Sequence, residues 1–198
     1  MLMIIVLAAI VIIAAVLIVA ATKPDTFRVE RSADIKASPE QVFVQINDLH
    51  NWRAWSTWER MDPNMKKTFS GSAQGKGAAY AWEGNSKVGK GKMEITESIP
   101  YSKVQLKLDF IAPFEGHNMA DLDLQAQGVG THITWSMHGP ASFLSKLFSV
   151  FVNMDKMIGK DFEDSLANLK AITEKLSQSF PDNSRHGKSP CISSLHRA

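Results

Sequence analysis

Residues 1–21 are apolar without a break, and none of them carries a charge or a strongly polar group. About 20 such residues, at ~1.5 Å of rise each, cross a hydrocarbon layer of roughly 30 Å, so a single transmembrane anchor is predicted over 1–22. A cleaved signal sequence would show a basic start and an apolar run of only ~7–15 residues. No Lys or Arg precedes this run, which favours the anchor, although Val19, Ala20 and Ala21 would suit cleavage. A buried core helix would need at least one face that differs from the others, and there is none. Lys23, Pro24 and Asp25 then break the helix and begin a linker over 23–26.

Beyond the linker the period changes to two. Across 27–37, Val29, Arg31, Ala33 and Ile35 alternate with Arg28, Glu30, Ser32, Asp34 and Lys36, as in a strand with one wet face. Ser38, Pro39 and Gln41 read as a helix start, with Ser38 as N-cap and Val42, Phe43 and Ile46 as the buried face. A second short helix is expected over 49–55. Six more strands follow at 66–73, 78–83, 90–98, 103–110, 118–127 and 131–139, separated by turns rich in Gly, Asn and Pro. Finally Phe143, Leu147, Phe151, Met154, Ile158, Phe162, Leu166, Leu169, Ile172 and Leu176 recur every three or four residues. That stripe predicts one long helix over 142–176, loosened at Gly159. The aperiodic polar stretch 178–198 is expected to be a disordered tail. The expectation is therefore one α+β domain over 27–177, built on a seven-stranded antiparallel sheet.

Composition narrows the function classes. The chain is 44% hydrophobic and 21% charged, as a globular protein is. Its net charge of +2 comes from the tail, where Arg185, Lys188 and Arg197 outnumber Asp182. The remainder is neutral and shows no basic stripe, so nucleic acid is not an expected partner. Cys191 is the only cysteine, which rules out an intramolecular disulfide or a cysteine metal cluster. Lys23, Arg28 and Arg31 bias their side of the anchor towards the cytoplasm, but three charges leave the side of the membrane open.

The order strand, two short helices, six strands and a long helix is that of the helix-grip fold. Particular residues agree with it: Val29 to Ser32 leading into Ser38 to Phe43, then Asp48, Leu49, Trp52, Trp55, Ser56 and Trp58. Asp62 to Lys66, the Phe69-Ser70-Gly71 turn, Gly89 to Gly91, Gly130-Thr131, Asp161 to Glu163 and Leu166 to Lys170 follow in the same order. On these stretches, spread over about 27–175, the chain resembles the SRPBCC (START-related) superfamily, and within it the polyketide cyclase/dehydrase-like members. The resemblance implies an apolar cavity between a curved sheet and the long helix, used for lipids, sterols, polyketides or other hydrophobic molecules. It does not imply one chemistry.

Candidate ligand-binding residues are Trp55, Tyr80, Trp82, Met93, Ile95, Leu106, Leu108, Phe110, Trp135 and Met137, with Phe151, Met154, Met157 and Ile158 of the long helix facing the same space. Trp52, Trp55 and Trp58 either close a pocket mouth or pin the short helices to the sheet; pinning is the preferred role for Trp52 and Trp55. Glu97 shares the parity of Met93 and Ile95 and is either an inward carboxylate, where burial would suit general-acid use, or an ordinary strand-end residue beside Ile99 and Pro100; Tyr80 is the other catalytic candidate. Asp109, Asp121 and Asp123 are expected to face solvent. His50, His117, His132 and His138 lack metal-ligand spacing, and no phosphate loop, dinucleotide fingerprint or nucleophile elbow is present, so neither metal nor cofactor is expected. Three functions fit: a membrane-tethered binding module for a hydrophobic small molecule or lipid, a cyclase- or hydratase-like enzyme, and a protein-interaction module.

Overall fold

A computed structural model describes residues 1–179. Its first element, α1 (Leu2–Ala21), is long and apolar enough to cross a membrane, and nearly all of its surface is exposed. Residues 22–25 lead directly into the sheet.

The alternating segments pair into one antiparallel sheet of β1 (Thr26–Ile35), β2 (Lys66–Gly71), β3 (Ala78–Glu83), β4 (Lys90–Ile99), β5 (Lys103–Ala112), β6 (Gly116–Gln127) and β7 (Gly130–Pro140), in the order β1-β7-β6-β5-β4-β3-β2. Between β1 and β2 lie α2 (Pro39–Asn47), α3 (Trp52–Trp55) and α4 (Thr57–Met61), three short helices rather than two. Ser38 N–H donates to the Gln41 side chain at 3.2 Å, so the helix start read from sequence is a capping box in fact.

Register gives the sheet two distinct ends. Thr26 pairs with Pro140, Phe110 with Gly116, Lys90 with Ala112 and Lys66 with Glu83, which gathers these residues at the end where α1 enters. Ile35 and Thr131, Gln127 and Gly130, and Ile99 and Lys103 pair at the opposite end. We call these the anchor end and the far end.

The long C-terminal helix is two helices, α5 (Phe143–Phe151) and α6 (Met154–Ser179), which corrects the single helix expected over 142–176. Val152 is extended, at φ −123° and ψ 129°. Asn153 Oδ1 then accepts from Lys156 N–H at 2.9 Å, capping the start of α6. α6 runs to Ser179, past the expected domain boundary at 177; the rest of the tail, with Cys191, lies outside the described residues.

Gly159 lies inside the unbroken α6. It makes room for Arg31, since a Cβ there would lie 1.9 Å from the Arg31 guanidinium. Arg31 reaches off β1 to Asp155 at 3.1 Å and Glu163 at 2.7 Å, the residues four before and four after that glycine. The two carboxylates raise the Arg31 pKa further above its already high value, Asp155 first and Glu163 second. The clasp fastens α6 over the edge strand. Between helix and sheet, Ile35, Ile95, Leu106, Leu122, Ile133, Leu166 and Leu169 are fully buried.

Candidate functional site

The inner face of the sheet is the surface that α2, α3, α4 and α6 cover. Its middle is occupied by rings. Trp135 of β7 stacks on Phe162 of α6 at 4.1 Å between centroids, and Trp52 and Trp55 meet Trp135 edge-on at 5.9 and 5.6 Å. The indoles of Trp52 and Trp55 donate to the carbonyls of Ile46 and Gln45, at 3.0 and 3.2 Å, which ties α3 to α2, while their rings on Trp135 hold α3 against the sheet. A second group, Trp58, Trp82 and Phe110, forms an edge-to-face triangle at 5.6 to 6.3 Å. Most of the ligand candidates thus share one face: Trp55, Tyr80, Trp82, Met93, Ile95, Leu106, Trp135 and Met137 are buried on it, and Leu108, Phe110 and Ile158 are packed half-buried against it.

Burial along that face is uneven. On β5, Val104 and Leu106 near the far end are buried, whereas Leu108 and Phe110 towards the anchor end are half-buried. On β6, Leu124, Leu122 and Ala120 are buried, whereas Asn118 and Gly116 are half-buried. Phe27, at the anchor end of β1, is also half-buried. On β5 and β6 the face is thus closed towards the far end and more loosely covered towards the anchor end, whereas Tyr80, Trp82 and Met93 of β3 and β4, level with Leu108 and Phe110, stay buried. In the middle of the face sits a polar atom without a partner: Trp135 Nε1–H is buried and makes no hydrogen bond within the described residues.

One charged group lies under the aromatic triangle. Glu59 of α4 is buried, accepts from Tyr80 Oη at 2.8 Å, and forms an ion pair with Lys67 of β2. Burial pushes the Tyr80 phenol well above its ordinary value, and the neighbouring Glu59 charge adds to the shift. Asp62 is buried beside this group and accepts from Asn64 and Asn85 backbone N–H groups at 3.0 and 2.7 Å. Tyr80 is therefore inward as expected. Glu59 was not anticipated, because its partners come from β2 and β3 and are met only once the strands are in register.

Four expectations need correction. Glu97 faces solvent and pairs with Lys103 at 3.8 Å, because Ile95 pairs with Leu106 and Glu97 with Gln105; the extra residue, Thr96, is a bulge that reverses the parity. Phe151, 73% exposed at the end of α5 where the extended Val152 breaks the helix, and Met157, 48% exposed on α6, do not face the inner space. Asp121 is on the outer face as expected, yet only 7% exposed, covered by Gln105 and Lys103 that reach it at 2.9 and 3.2 Å. Asp109 and Asp123 on the same face are partly covered too.

The surface carries recesses as well. One of about 170 Å³ lies between Leu49, His50 and the β2–β3 hairpin, where His50 stacks on Phe69 at 4.0 Å. Another, about 460 Å³, is lined by Lys23 and residues 149–155, and it is here that Met154 and Phe151 are found. Among the described residues, no three His, Cys, Asp or Glu side chains converge as metal ligands would.

The fold has known relatives. The sequence profile of the polyketide cyclase/dehydrase and lipid transport family matches residues 26–174. A protein of Chromobacterium violaceum superposes with a TM-score of 0.52 at 16% identity, covering 77% of this chain and 99% of its own. The Aha1 dimer of Colwellia psychrerythraea gives 0.54 at 17% identity, over 75% and 96%. DynU16, a protein in the dynemicin biosynthetic locus, gives 0.53 at 14% identity, over 77% of this chain and 48% of its own. At such identities these structures speak for the fold alone. No curated protein sequence matches the chain. With the profile covering well over half of its length and the strand and helix order of the helix-grip fold in place, the chain belongs to the polyketide cyclase/dehydrase and lipid transport family of the SRPBCC superfamily.

Proposed function

We propose that the protein is a membrane-anchored binding module that takes a hydrophobic small molecule or lipid onto the inner face of its sheet through the anchor end. The observation that carries this is the gradient of burial along β5 and β6, from sealed Leu106 and Leu122 to half-buried Leu108 and Asn118. An apolar wall open at one end suits an apolar guest. The unpartnered Trp135 N–H favours a guest with one hydrogen-bond acceptor, because a buried donor left unmet costs ~1–3 kcal/mol. The lipid-transport part of the family description and the apolar α1 support the same reading. Trp52, Trp55 and Trp135 stand in the path, so uptake needs a second arrangement of these rings, selected by the ligand.

The test is direct. Delipidated full-length protein in detergent should bind a fluorescent fatty acid, and the Leu108→Arg variant, with a charge at the loosely covered end, should bind it at least tenfold more weakly. Wild-type protein that neither binds the probe nor carries an apolar adduct out of phosphatidylcholine nanodiscs in native mass spectrometry would remove this function.

A cyclase-like enzyme is the second reading, favoured by the buried Glu59–Tyr80–Lys67 group. In it, Tyr80 and not Glu97 is the proton donor, with Glu59 orienting the phenol. Tyr80→Phe would then keep probe binding and abolish turnover.

A further inference from the structure

α5 has a face that nothing among the described residues covers. Phe143, Leu144, Phe148 and Phe151 recur at helical spacing and are each more than half exposed, with Leu147 among them. The opposite stripe is Ser145, Lys146 and Ser149, and it is tied to the linker: Lys146 pairs with Asp25, and Lys23 Nζ donates to the Ser149 carbonyl at 3.2 Å. The polar side of α5 thus faces the chain, and its aromatic side faces away.

Position decides what meets that aromatic side. α5 packs along α1, and the α1 residues withdrawn from solvent are Ala20, buried, and Val16, half-buried, one helical turn apart. α1 has 20 residues, about 30 Å, so a membrane takes up its whole length. A neighbour lying against Val16 and Ala20 then sits within ~8 Å of the end of the span, the depth at which amphipathic helices settle between headgroups and acyl chains. At the same end of the sheet, the short turn between β5 and β6 exposes Phe114 (66%) and, at the close of β5, Ile111 (57%).

We infer that α5 is an interfacial helix, its Phe143-Leu144-Phe148-Phe151 face embedded in the leaflet where α1 ends. This rests on α1 spanning the bilayer, as the proposed function does. The partner is the lipid surface itself, since the apolar face continues that of the anchor. The anchor end of the sheet, with Leu108 and Phe110, is thereby set down on the membrane.

The experiment uses the full chain with Cys191→Ser, so that one new cysteine carries an environment-sensitive dye. Labels go at Leu7→Cys in α1, Phe148→Cys on α5 and Val129→Cys in the exposed β6–β7 turn at the far end, with Phe151→Cys repeating the α5 measurement. In phosphatidylcholine vesicles, the Phe148 and Phe151 dyes should lose most of their emission to lipids carrying a nitroxide near the headgroup. The Leu7 dye should be quenched by nitroxides deep in the acyl chains, and the Val129 dye by neither. Quenching at Leu7 with none at Phe148 and Phe151 overturns the interfacial helix and leaves the span standing. Blue-shifted, unquenched α5 dyes in a protein that cross-links to itself would mean that a second copy covers the face, and would overturn it too. An unquenched Leu7 dye removes both the span and the helix that depends on it.

Discussion

The two ends of the inner face are built from the same residue types and differ in how they are closed. At the far end, Ile35, Ile95, Leu106, Leu122 and Ile133 interlock under Leu166 and Leu169, although Ile99 at the end of β4 and Leu176 near the end of α6 remain exposed. Towards the anchor end, Phe27, Leu108, Phe110, Trp58 and Ile158 are only half-buried against the core, though Trp82 beside them is fully buried. Core stability resides where side chains are surrounded; residues held on one side are free to repack around something else. The contrast suggests a division of labour along each strand, with the half nearer the far end specifying the fold and the half nearer the anchor left adaptable.

The largest expected effect tests that division at its sealed part. Leu106→Ala should cost about 3–5 kcal/mol in urea unfolding of the full chain in detergent micelles, whereas Leu108→Ala should cost about 1 kcal/mol. Equal losses would mean that the two ends do not differ. Next in size, Glu59→Ala should cost about 3 kcal/mol, because it strands Lys67 and the Tyr80 hydroxyl under the aromatic triangle.

Gly159→Ala should lose roughly 1–3 kcal/mol by driving a methyl into the Arg31 guanidinium, even though alanine is the better helix former. Removing the obstruction with Arg31→Ala in the same chain should make the pair less than additive, which a double-mutant cycle would reveal. A loss that adds in full would place the strain elsewhere.

A smaller effect appears only in alkali. The folded Tyr80 phenol titrates above its unfolded value of about 10, so its contribution is intact below that pH and is lost as pH rises through the folded value. Wild type should therefore weaken more steeply above pH ~10 than Tyr80→Phe, and parallel curves would disprove the coupling. Smallest of all, Glu97→Ala should stay within about 0.5 kcal/mol of wild type, since it breaks only an exposed ion pair.

Much of this was legible in the sequence because it is local. Alternation placed all seven strands, and Ser38 with Gln41 placed the start of α2. Parity also gave the inward set from Tyr80 to Met137, and it failed at one place. A bulge adds a residue without any signal in the hydrophobic pattern, so every parity inference beyond Thr96 is reversed, and Glu97 with it. The stripe from Leu147 to Ile158 stays in phase across Val152, which is why one helix was expected where there are two; Asn153, a good cap, was the available hint. Glu59 could not be found this way. What marks it is the convergence of α4, β2 and β3, and convergence is a property of the fold.

The short connection between α1 and β1 has a further consequence, which concerns reach. Residues 22–25 would extend about 13 Å at most, and they are not slack: Asp25 takes the backbone N–H of Ala141 at 2.7 Å as well as the Lys146 ammonium. If α1 spans a bilayer as proposed, a domain mounted this way turns with it and cannot swing out to a facing membrane. Any cargo would then be drawn from, and returned to, the one leaflet beneath it, or be handed to a partner that comes to it. Carriage across an aqueous gap would need a longer stalk.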